Sequence, residues 1–344
     1  MNSSTIKTLQ RRALELRIDS IRATPASGSG HPTSCLSAAD LISVLFFNTM
    51  KFKIENPKDK NNDRFIMSKG HAIPVVYAAW KQLGIIGDKE LMQLRKFDSP
   101  LEGHPTSRTP YNEAATGSLG QGLGIGVGMA LNAKKEALSY KTFVMMGDGE
   151  VAEGSVWEAA ELGSHYKLNN LIGIVDCNTL GQSGKALHPN SAEKYAKKFE
   201  AFGWNAKVVG GHDIEAILET INSVDESSDK PFMIIAKTNK GQGLPSLANK
   251  NGFHGKPFKK EEFDAVMEEL RSNFGEKIEL EASAPVKINI EKQEHQKISI
   301  DLSTDINSAL FDEDIHIATR KAFGLAIATL GKENKNIFAL DGDV

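Results

Sequence analysis

The chain has 344 residues, 40% of them hydrophobic and 25% charged, which is typical of a globular protein with one large domain and something more. The formal net charge of -3 gives no electrostatic reason to expect a nucleic acid or an anionic membrane as partner. Cys35 and Cys177 have no metal-type spacing, and no stretch is apolar enough to span a membrane. Because the N-terminus also lacks the apolar core of a signal peptide, we expect a cytoplasmic protein with reduced cysteines.

Periodic apolar residues predict an opening helix that ends near Pro25, a glycine loop at 26–32, and a second helix over Ser37–Asn48. Short apolar runs then alternate with helical periods. The predicted strands are Arg64–Met67, Thr142–Met146, Leu171–Val175, Asn205–Val209 and Phe232–Lys237. The predicted helices between them lie near His71–Leu83, Gly124–Leu138, Glu153–Tyr166, Ala192–Phe202 and Ile214–Val224. This alternation predicts an α/β fold, with a mostly parallel sheet that has helices on both faces and binds ligands beyond the carboxyl ends of its strands.

The composition changes after a charged helix predicted near Glu261–Asn273. Residues 275–312 are rich in Glu, Lys, Gln, Ser and Asp, which is typical of an interdomain linker. A helix is predicted at Ile315–Leu330 and a strand at Asn336–Leu340, both within 313–344. We therefore predict a first domain at 1–274, a linker at 275–312 and an incomplete second α/β domain at 313–344.

An acidic residue lies between two glycines at the end of the second predicted strand, in Gly147-Asp148-Gly149. Asn178 follows the next strand and offers a second oxygen. Two hard oxygen ligands on neighbouring strand ends suit Mg²⁺ or Ca²⁺ bound together with phosphates. An ordinary turn is the alternative interpretation of the Gly-Asp-Gly triplet. Glu150 comes next, where the dipole of the following helix favours an acidic residue, and this predicts a structural role for it.

A second glycine-rich run begins at Gly117 and continues to Gly128. No register of it fits the dinucleotide fingerprint, and no Walker-A lysine follows. The run allows a ligand to approach the backbone at a helix start, where free N–H groups favour anions. Close helix packing is the alternative, and we apply it to Gly126 and Gly128.

Four histidines next to glycine lie in predicted loops: His31, His71, His104 and His254. Imidazoles can donate to sugar hydroxyls or phosphates and can carry protons near neutral pH. Zinc ligation is the alternative, but the spacings match no familiar zinc pattern, so recognition of a polar substrate is preferred. Lys69 and Lys240, also in glycine-bearing loops, could meet a diphosphate, although a solvated surface lysine is the default for either alone.

Together these pieces resemble a thiamine-diphosphate enzyme, specifically a transketolase of the animal type. The motifs that carry the resemblance are Gly28–Ser34, Met67–His71, Ala115–Gly122, Gly147–Gly154, Leu180–Ser183, Ala236–Gly241, His254–Pro257 and Ala318–Ala322. The resemblance implies that the first domain binds the cofactor's diphosphate and that 313–344 begins a pyrimidine-binding domain. It also implies transfer of a two-carbon ketol unit from a ketose phosphate to an aldose phosphate, in a homodimer.

The resemblance also implies roles for individual residues. Asp148, Asn178 and the carbonyl of Leu180 would bind Mg²⁺ or Ca²⁺. The implied thiamine-diphosphate contacts are Ser34, Lys69, His71, Gly117, Ser118, Leu119, Gly149, Glu153, Asn178, Lys240 and His254. His31, His71, His104 and His254 would bind sugar hydroxyls and transfer protons, Arg320 would bind the substrate phosphate, and Glu153 and Glu158 would join an acidic network between subunits.

The family's chain is longer than this one and continues through the pyrimidine-binding domain and a further C-terminal domain. The missing portion of the family pattern includes the glutamate that activates the aminopyrimidine ring. We therefore expect the 344 residues to be inactive alone. A truncated chain, the N-terminal subunit of a split enzyme, and a catalytically inactive cofactor-binding or regulatory module remain the alternatives.

Overall fold

The computed structural model of the chain describes residues 3–225, 227–274, 319–335 and 337. The described residues up to 274 lie in one compact unit and those from 319 onward in another. The predicted linker at 275–312 lies outside the described residues, as does nearly all of the strand predicted at 336–340. The domain boundaries therefore stay predictions.

A five-stranded sheet forms the centre of the first unit, with every pair of neighbouring strands parallel. Its strands are β1 (Arg64–Met67), β2 (Thr142–Gly147), β3 (Leu171–Cys177), β4 (Asn205–Gly210) and β5 (Phe232–Lys237). Their order across the sheet is β1-β2-β3-β5-β4. All five predicted strands are confirmed, as is the parallel α/β architecture.

The helices of the first unit connect these strands. They are α1 (Ser3–Ala26), α2 (Pro32–Val44), α3 (Ile73–Gln82), α4 (Asp88–Leu91), α5 (Gln121–Lys135), α6 (Gly154–His165), α7 (Ala192–Ala201), α8 (Ile214–Asn222) and α9 (Phe263–Phe274). A π-helical turn extends α2 through Leu45–Thr49. Single 3₁₀ turns lie at Gly70–Ala72, Glu150–Ala152 and Lys260–Glu262.

Both faces of the sheet are covered, as the alternating side chains of β2 illustrate. Phe143 and Met145 join a core that α1, α2, α3 and α8 complete. Val144 and Met146 point the other way and join a core with α5, α6 and α7. Successive side chains of a strand face opposite sides of the sheet, so an unbroken apolar run can fill two cores at once. The prediction of helices on both faces is confirmed.

A third apolar cluster attaches the segment after β5 to the first two helices. Leu244 and Phe258 from that segment pack with Leu14 of α1, Leu36 of α2 and residues of α9. This packing holds the segment that carries Lys240 and His254 against the N-terminal helices.

Two predicted helix starts were late. Helix α2 begins at Pro32 rather than Ser37, because proline at a first helical turn loses no hydrogen bond and His31 forms the cap. Helix α5 begins at Gln121 rather than Gly124. The packing interpretation holds for Gly126, where an added Cβ would lie 2.4 Å from Cγ2 of Val144. It is wrong for Gly128, which faces open space in the first unit.

The second unit contains helix α10 (Thr319–Glu333), in agreement with the predicted helical pattern. Among the residues that the structure describes, no helix is long and apolar enough to cross a membrane.

Candidate functional site

A cavity of about 390 Å³ lies beyond the carboxyl ends of β1, β2, β3 and β5. Each of those strands is followed by a loop that contributes to its wall, and the start of α2 and the segment near His254 complete it. Thirteen residues with a predicted role line this cavity: His31, Ser34, Lys69, His71, His104, Gly117, Leu119, Asp148, Gly149, Asn178, Leu180, Lys240 and His254.

Oxygen atoms from the ends of β2 and β3 meet at one side of the cavity. The carboxylate of Asp148 is buried and accepts backbone N–H groups of Gly149 at 2.8 Å and of Thr179 at 2.5 Å. The side-chain oxygen of Asn178 accepts the N–H of Leu180 at 3.2 Å. These bonds fold the 178–180 turn onto Asp148, so a carboxylate, an amide oxygen and a main-chain carbonyl share one side of the cavity.

This donor set suits a hard divalent cation. All three groups bind through oxygen, and these oxygens can accept further bonds besides the hydrogen bonds that the protein supplies. Burial, with the nearby charge of Asp176, raises the pKa of Asp148 to about 6. A cation bound beside Asp148 would offset the cost of keeping its buried carboxylate ionised.

Lys69 lies on the floor of the cavity and is paired. Its ammonium contacts the carboxylate of Asp176 on β3 and the carbonyl of Ser34 at 3.2 Å. Asp176 is fully buried and also accepts hydrogen bonds from Ser37, at 2.6 Å, and from Thr238. Burial alone would raise the pKa of Asp176, but the charge of Lys69 holds it below its ordinary value. Asp176 thus ties the loops after β1 and β5 to the start of α2.

Lys240 lines the same cavity and contacts two segments that border it. Its ammonium donates to the carbonyls of Leu180 at 3.2 Å and Gly181 at 3.4 Å, and lies 2.8 Å from Nδ1 of His254. Burial and the positive charge of Lys69 lower the pKa of Lys240 to about 8. Two ammonium groups therefore border the same cavity, as binding of a diphosphate would require.

The four predicted histidines form one cluster. The ring centroids of His31 and His71 are 4.8 Å apart, those of His31 and His254 4.9 Å, and those of His71 and His254 5.0 Å. His104 lies edge-on to His31 at 6.4 Å. Residues far apart in the sequence thus present imidazole nitrogens to one volume.

Two glycines explain why the histidines can come so close to the backbone. Gly117 has a φ of 144°, and a Cβ there would lie 2.9 Å from the ring of His104. Gly255 has a φ of 66°, and a Cβ there would lie 3.0 Å from Nε2 of His31. Residues with a side chain rarely adopt either of these φ values, and an added Cβ would also lie too close to a histidine ring. Both positions therefore favour glycine for two independent reasons.

Burial keeps this histidine cluster neutral. It lowers the pKa of His31 to about 4, with further contributions from His104, Lys240 and Arg95. It likewise lowers the pKa of His254 to about 4, with Lys240 and His31 contributing. The pKa of His71 is lowered well below its ordinary value for the same reason. Neutral rings offer both a donor and an acceptor, as recognition of hydroxyl groups needs.

Three residues with predicted roles are not brought to the cavity wall. Ser118, Glu153 and Glu158 are exposed and do not line it. Arg320 is the second residue of α10, in the other unit, and its side chain lies outside the part of the chain that the structure describes. Their roles stay predictions.

Sequence reasoning assigned no role to Asp176. It predicted a structural role for Glu150 correctly but assigned that role to the wrong helix. The buried carboxylate of Glu150 accepts the N–H groups of Gly120 and Gly147, both at 3.0 Å, and the hydroxyl of Ser68. It therefore joins three loops of the site, and the helix start that it supports is that of α5, not α6. A Glu that directly follows a Gly-Asp-Gly turn was visible in the sequence, but nothing there indicated which distant loops it would bind.

Comparison with known proteins agrees with this geometry. Residues 8–317 match the family described as transketolase, thiamine diphosphate binding domain. The chain is 46% identical over 343 residues to transketolase-like protein 2 of Homo sapiens, covering 98% of this chain and 53% of that protein. It is 43% identical over 341 residues to the transketolase of Homo sapiens, covering 98% and 53%. The chain thus spans about half the length of the curated relatives it matches.

Solved structures give the same result. A transketolase from Campylobacter jejuni superimposes with a TM-score of 0.73 at 33% identity, covering 80% of this chain and 43% of that one. A transketolase from Pichia stipitis in complex with sedoheptulose 7-phosphate gives a TM-score of 0.72 at 29% identity, covering 78% and 41%. Because the family match spans residues 8–317, which is most of the chain, the chain belongs to the transketolase family.

Proposed function

We propose that this chain binds thiamine diphosphate through a divalent cation and supplies the diphosphate half of a transketolase active site. The observation that carries the proposal is the meeting of three oxygen donors and two ammonium groups at one edge of the sheet. Asp148, Asn178 and the carbonyl of Leu180 would hold Mg²⁺ or Ca²⁺. Lys69 and Lys240 would balance the charge of the diphosphate.

The bound cofactor would supply the electron sink for breaking and forming a carbon–carbon bond next to a carbonyl. The residues of this chain would bind and orient the reactants and move protons. His31, His71, His104 and His254 would donate to the hydroxyl groups of a sugar phosphate, and their neutral rings can also accept a proton. The proposed reaction transfers a two-carbon ketol unit from a ketose phosphate to an aldose phosphate.

Calorimetric titration tests the cofactor site. Thiamine diphosphate should bind the wild-type chain only when Mg²⁺ or Ca²⁺ is present. Asp148→Ala should weaken binding by more than about 100-fold, since losing a partner that merely orients a ligand already costs about 10–100-fold. The exposed Glu161→Ala serves as a matched control and should bind like the wild type. Binding that needs no divalent cation would contradict the proposal.

Two further points stay proposals. A second copy of the chain would cover the exposed Leu119 and Leu187, which are 41% and 64% exposed and line the cavity. Sedimentation velocity should then show a dimer, and a monomer at all concentrations would argue against it.

We also expect that the 344 residues alone do not turn over a pentulose phosphate. A coupled assay checks this prediction, and detectable ketol transfer would overturn it.

A further inference from the structure

A chain of hydrogen bonds behind the cavity runs from the first helix to the loop that carries Lys240. Arg17 of α1 donates to both carboxylate oxygens of Asp40 of α2, and both side chains are buried. Nδ1 of His212 lies 2.7 Å from Oδ2 of Asp40. Nε2 of His212 accepts the backbone N–H of Asn239 at 2.8 Å. Asn239 directly precedes Lys240.

The donors along this chain have a fixed direction. A backbone N–H can only donate, so Nε2 of His212 carries the lone pair and Nδ1 carries the hydrogen. That hydrogen points to Asp40. Burial acts to raise the pKa of Asp40, but the charge of Arg17 and the hydrogen bonds from Arg17 and His212 together keep it below the ordinary value, so the carboxylate is ionised. The carboxylate and guanidinium therefore select one ring tautomer of His212, as outer-shell carboxylates do for histidine ligands.

The backbone at Gly211, next to His212, lies very close to the loop after β5. The N–H of Gly211 donates to the carbonyl of Lys237 at 2.7 Å. A Cβ at Gly211 would lie 2.4 Å from Cγ2 of Thr238 and 3.0 Å from the carbonyl oxygen of Lys237. Glycine at this position lets the loop after β4 pack directly on the loop after β5, which brings the His212 ring within reach of Asn239.

The geometry points to a positioning role for His212, in which it fixes the backbone at Asn239 and thereby aims the ammonium of Lys240 at the Leu180 carbonyl and at His254. We infer that the Arg17–Asp40–His212 chain tunes how tightly the site binds a diphosphate–metal ligand without contacting it. This inference rests on the proposed function for its ligand. Its structural part, the hold on Asn239, can be tested without any ligand.

Two near-isosteric substitutions distinguish the contributions of the two ring nitrogens of His212. In His212→Asn the amide nitrogen can still donate to Asp40, but nothing reaches the N–H of Asn239. In His212→Gln the longer side chain can place its oxygen near the position of Nε2 and accept that N–H. Hydrogen exchange of the ligand-free 344-residue chain, read by mass spectrometry at single-residue resolution, should show faster exchange of the Asn239 amide in the Asn variant, by roughly fivefold or more. The Gln variant should stay close to the wild type, and equal exchange in the two variants would overturn the inference.

Calorimetry with thiamine diphosphate and Mg²⁺ supplies the second measurement. His212→Asn should weaken binding roughly 3- to 10-fold, as expected for one net hydrogen bond, and His212→Gln should restore most of it. If His212 acts through Lys240, this loss disappears in a Lys240→Met background. The same fold-loss with and without Lys240→Met would overturn the inference. A wild-type chain that fails to bind at all would instead refute the proposed function, while the exchange data would still decide the role of His212.

Discussion

Lys69 and Asp176 form an ion pair inside the protein, with side chains that are 2% and 0% exposed. The pair joins the loop after β1 to the centre of the sheet on β3. Among the described residues, the other hydrogen bonds to the Asp176 carboxylate come from Ser37, Thr238 and Asn178, in segments that line the cavity or support it. The floor of the site therefore depends on one carboxylate staying ionised.

Replacing Asp176 with Asn should destabilise the protein strongly. The substitution leaves the Lys69 ammonium buried without an anion, and breaking a buried ion pair in this way costs about 3–5 kcal/mol. Urea unfolding of the chain measures the loss, provided that the denaturant dependence is unchanged. The double variant Lys69→Met with Asp176→Asn removes both charges and should recover part of the stability. A loss below about 1 kcal/mol for Asp176→Asn would contradict this account.

The pKa of His31 predicts a pH dependence of stability. Burial lowers the pKa of His31 from the ordinary 6.5 to about 4. Between pH 6.5 and pH 4 the unfolded chain therefore binds a proton at this residue that the folded chain does not. The contribution of His31 to stability is therefore complete above pH 6.5 and is lost as the pH falls toward 4. The charged or titratable groups that face His31 are His71, His104, His254, Lys240 and Arg95.

The variant His31→Gln isolates this contribution. The buried Asp148 has its pKa raised to about 6 and acts in the opposite direction, so the difference between variant and wild type is the quantity to compare. The unfolding free energy of His31→Gln should fall less than that of the wild type between pH 6.5 and pH 4. Parallel profiles for the two proteins would show that the His31 ring titrates normally in the fold.

Two glycines of α5 should respond in opposite ways to alanine. Gly126 is buried against Val144, so an added methyl overpacks the core and should cost about 1–3 kcal/mol. Gly128 is exposed with open space around it, and Gly128→Ala should stabilise the helix by about 0.5–1 kcal/mol. Urea unfolding of both variants checks the pair. Destabilisation by Gly128→Ala would indicate that this face of α5 is covered in solution.

Replacing Glu150 with Gln should loosen three loops at once. Both oxygens of Glu150 accept hydrogen bonds, so the amide nitrogen of Gln must oppose an N–H or a hydroxyl whichever way it is turned. A buried donor left without an acceptor costs about 1–3 kcal/mol. Unfolding measures the total loss. Hydrogen exchange at Gly120 and Gly147 should locate it, and unchanged exchange at both would refute the proposed contacts.

The strands were predictable because each is a short apolar run bounded by residues that interrupt regular structure. Their parallel direction follows from the helices that lie between the runs. The prediction that Asp148 and Asn178 meet also needed only the rule that parallel strands end at one edge. The shared role of the four histidines was implied by the family resemblance, because His31, His104 and His254 do not directly follow a strand. The role of Asp176 could not be predicted, because this buried acid within an apolar run acts through its ion pair with Lys69, which lies far away in the sequence. The same holds for Glu150, whose distant partners Ser68 and Gly120 lie in two other loops. It also holds for His212, whose role depends on two ring nitrogens with different neighbours.

The histidine cluster draws its rings from segments around residues 31, 71, 104 and 254, which span most of the first unit. Its contact order is therefore high, and the entropy of closing long loops must be overcome before the rings can meet. Ligand capture at this cavity should then appear late in refolding, after the strands have paired, and would report completed folding more faithfully than the recovery of helical signal does.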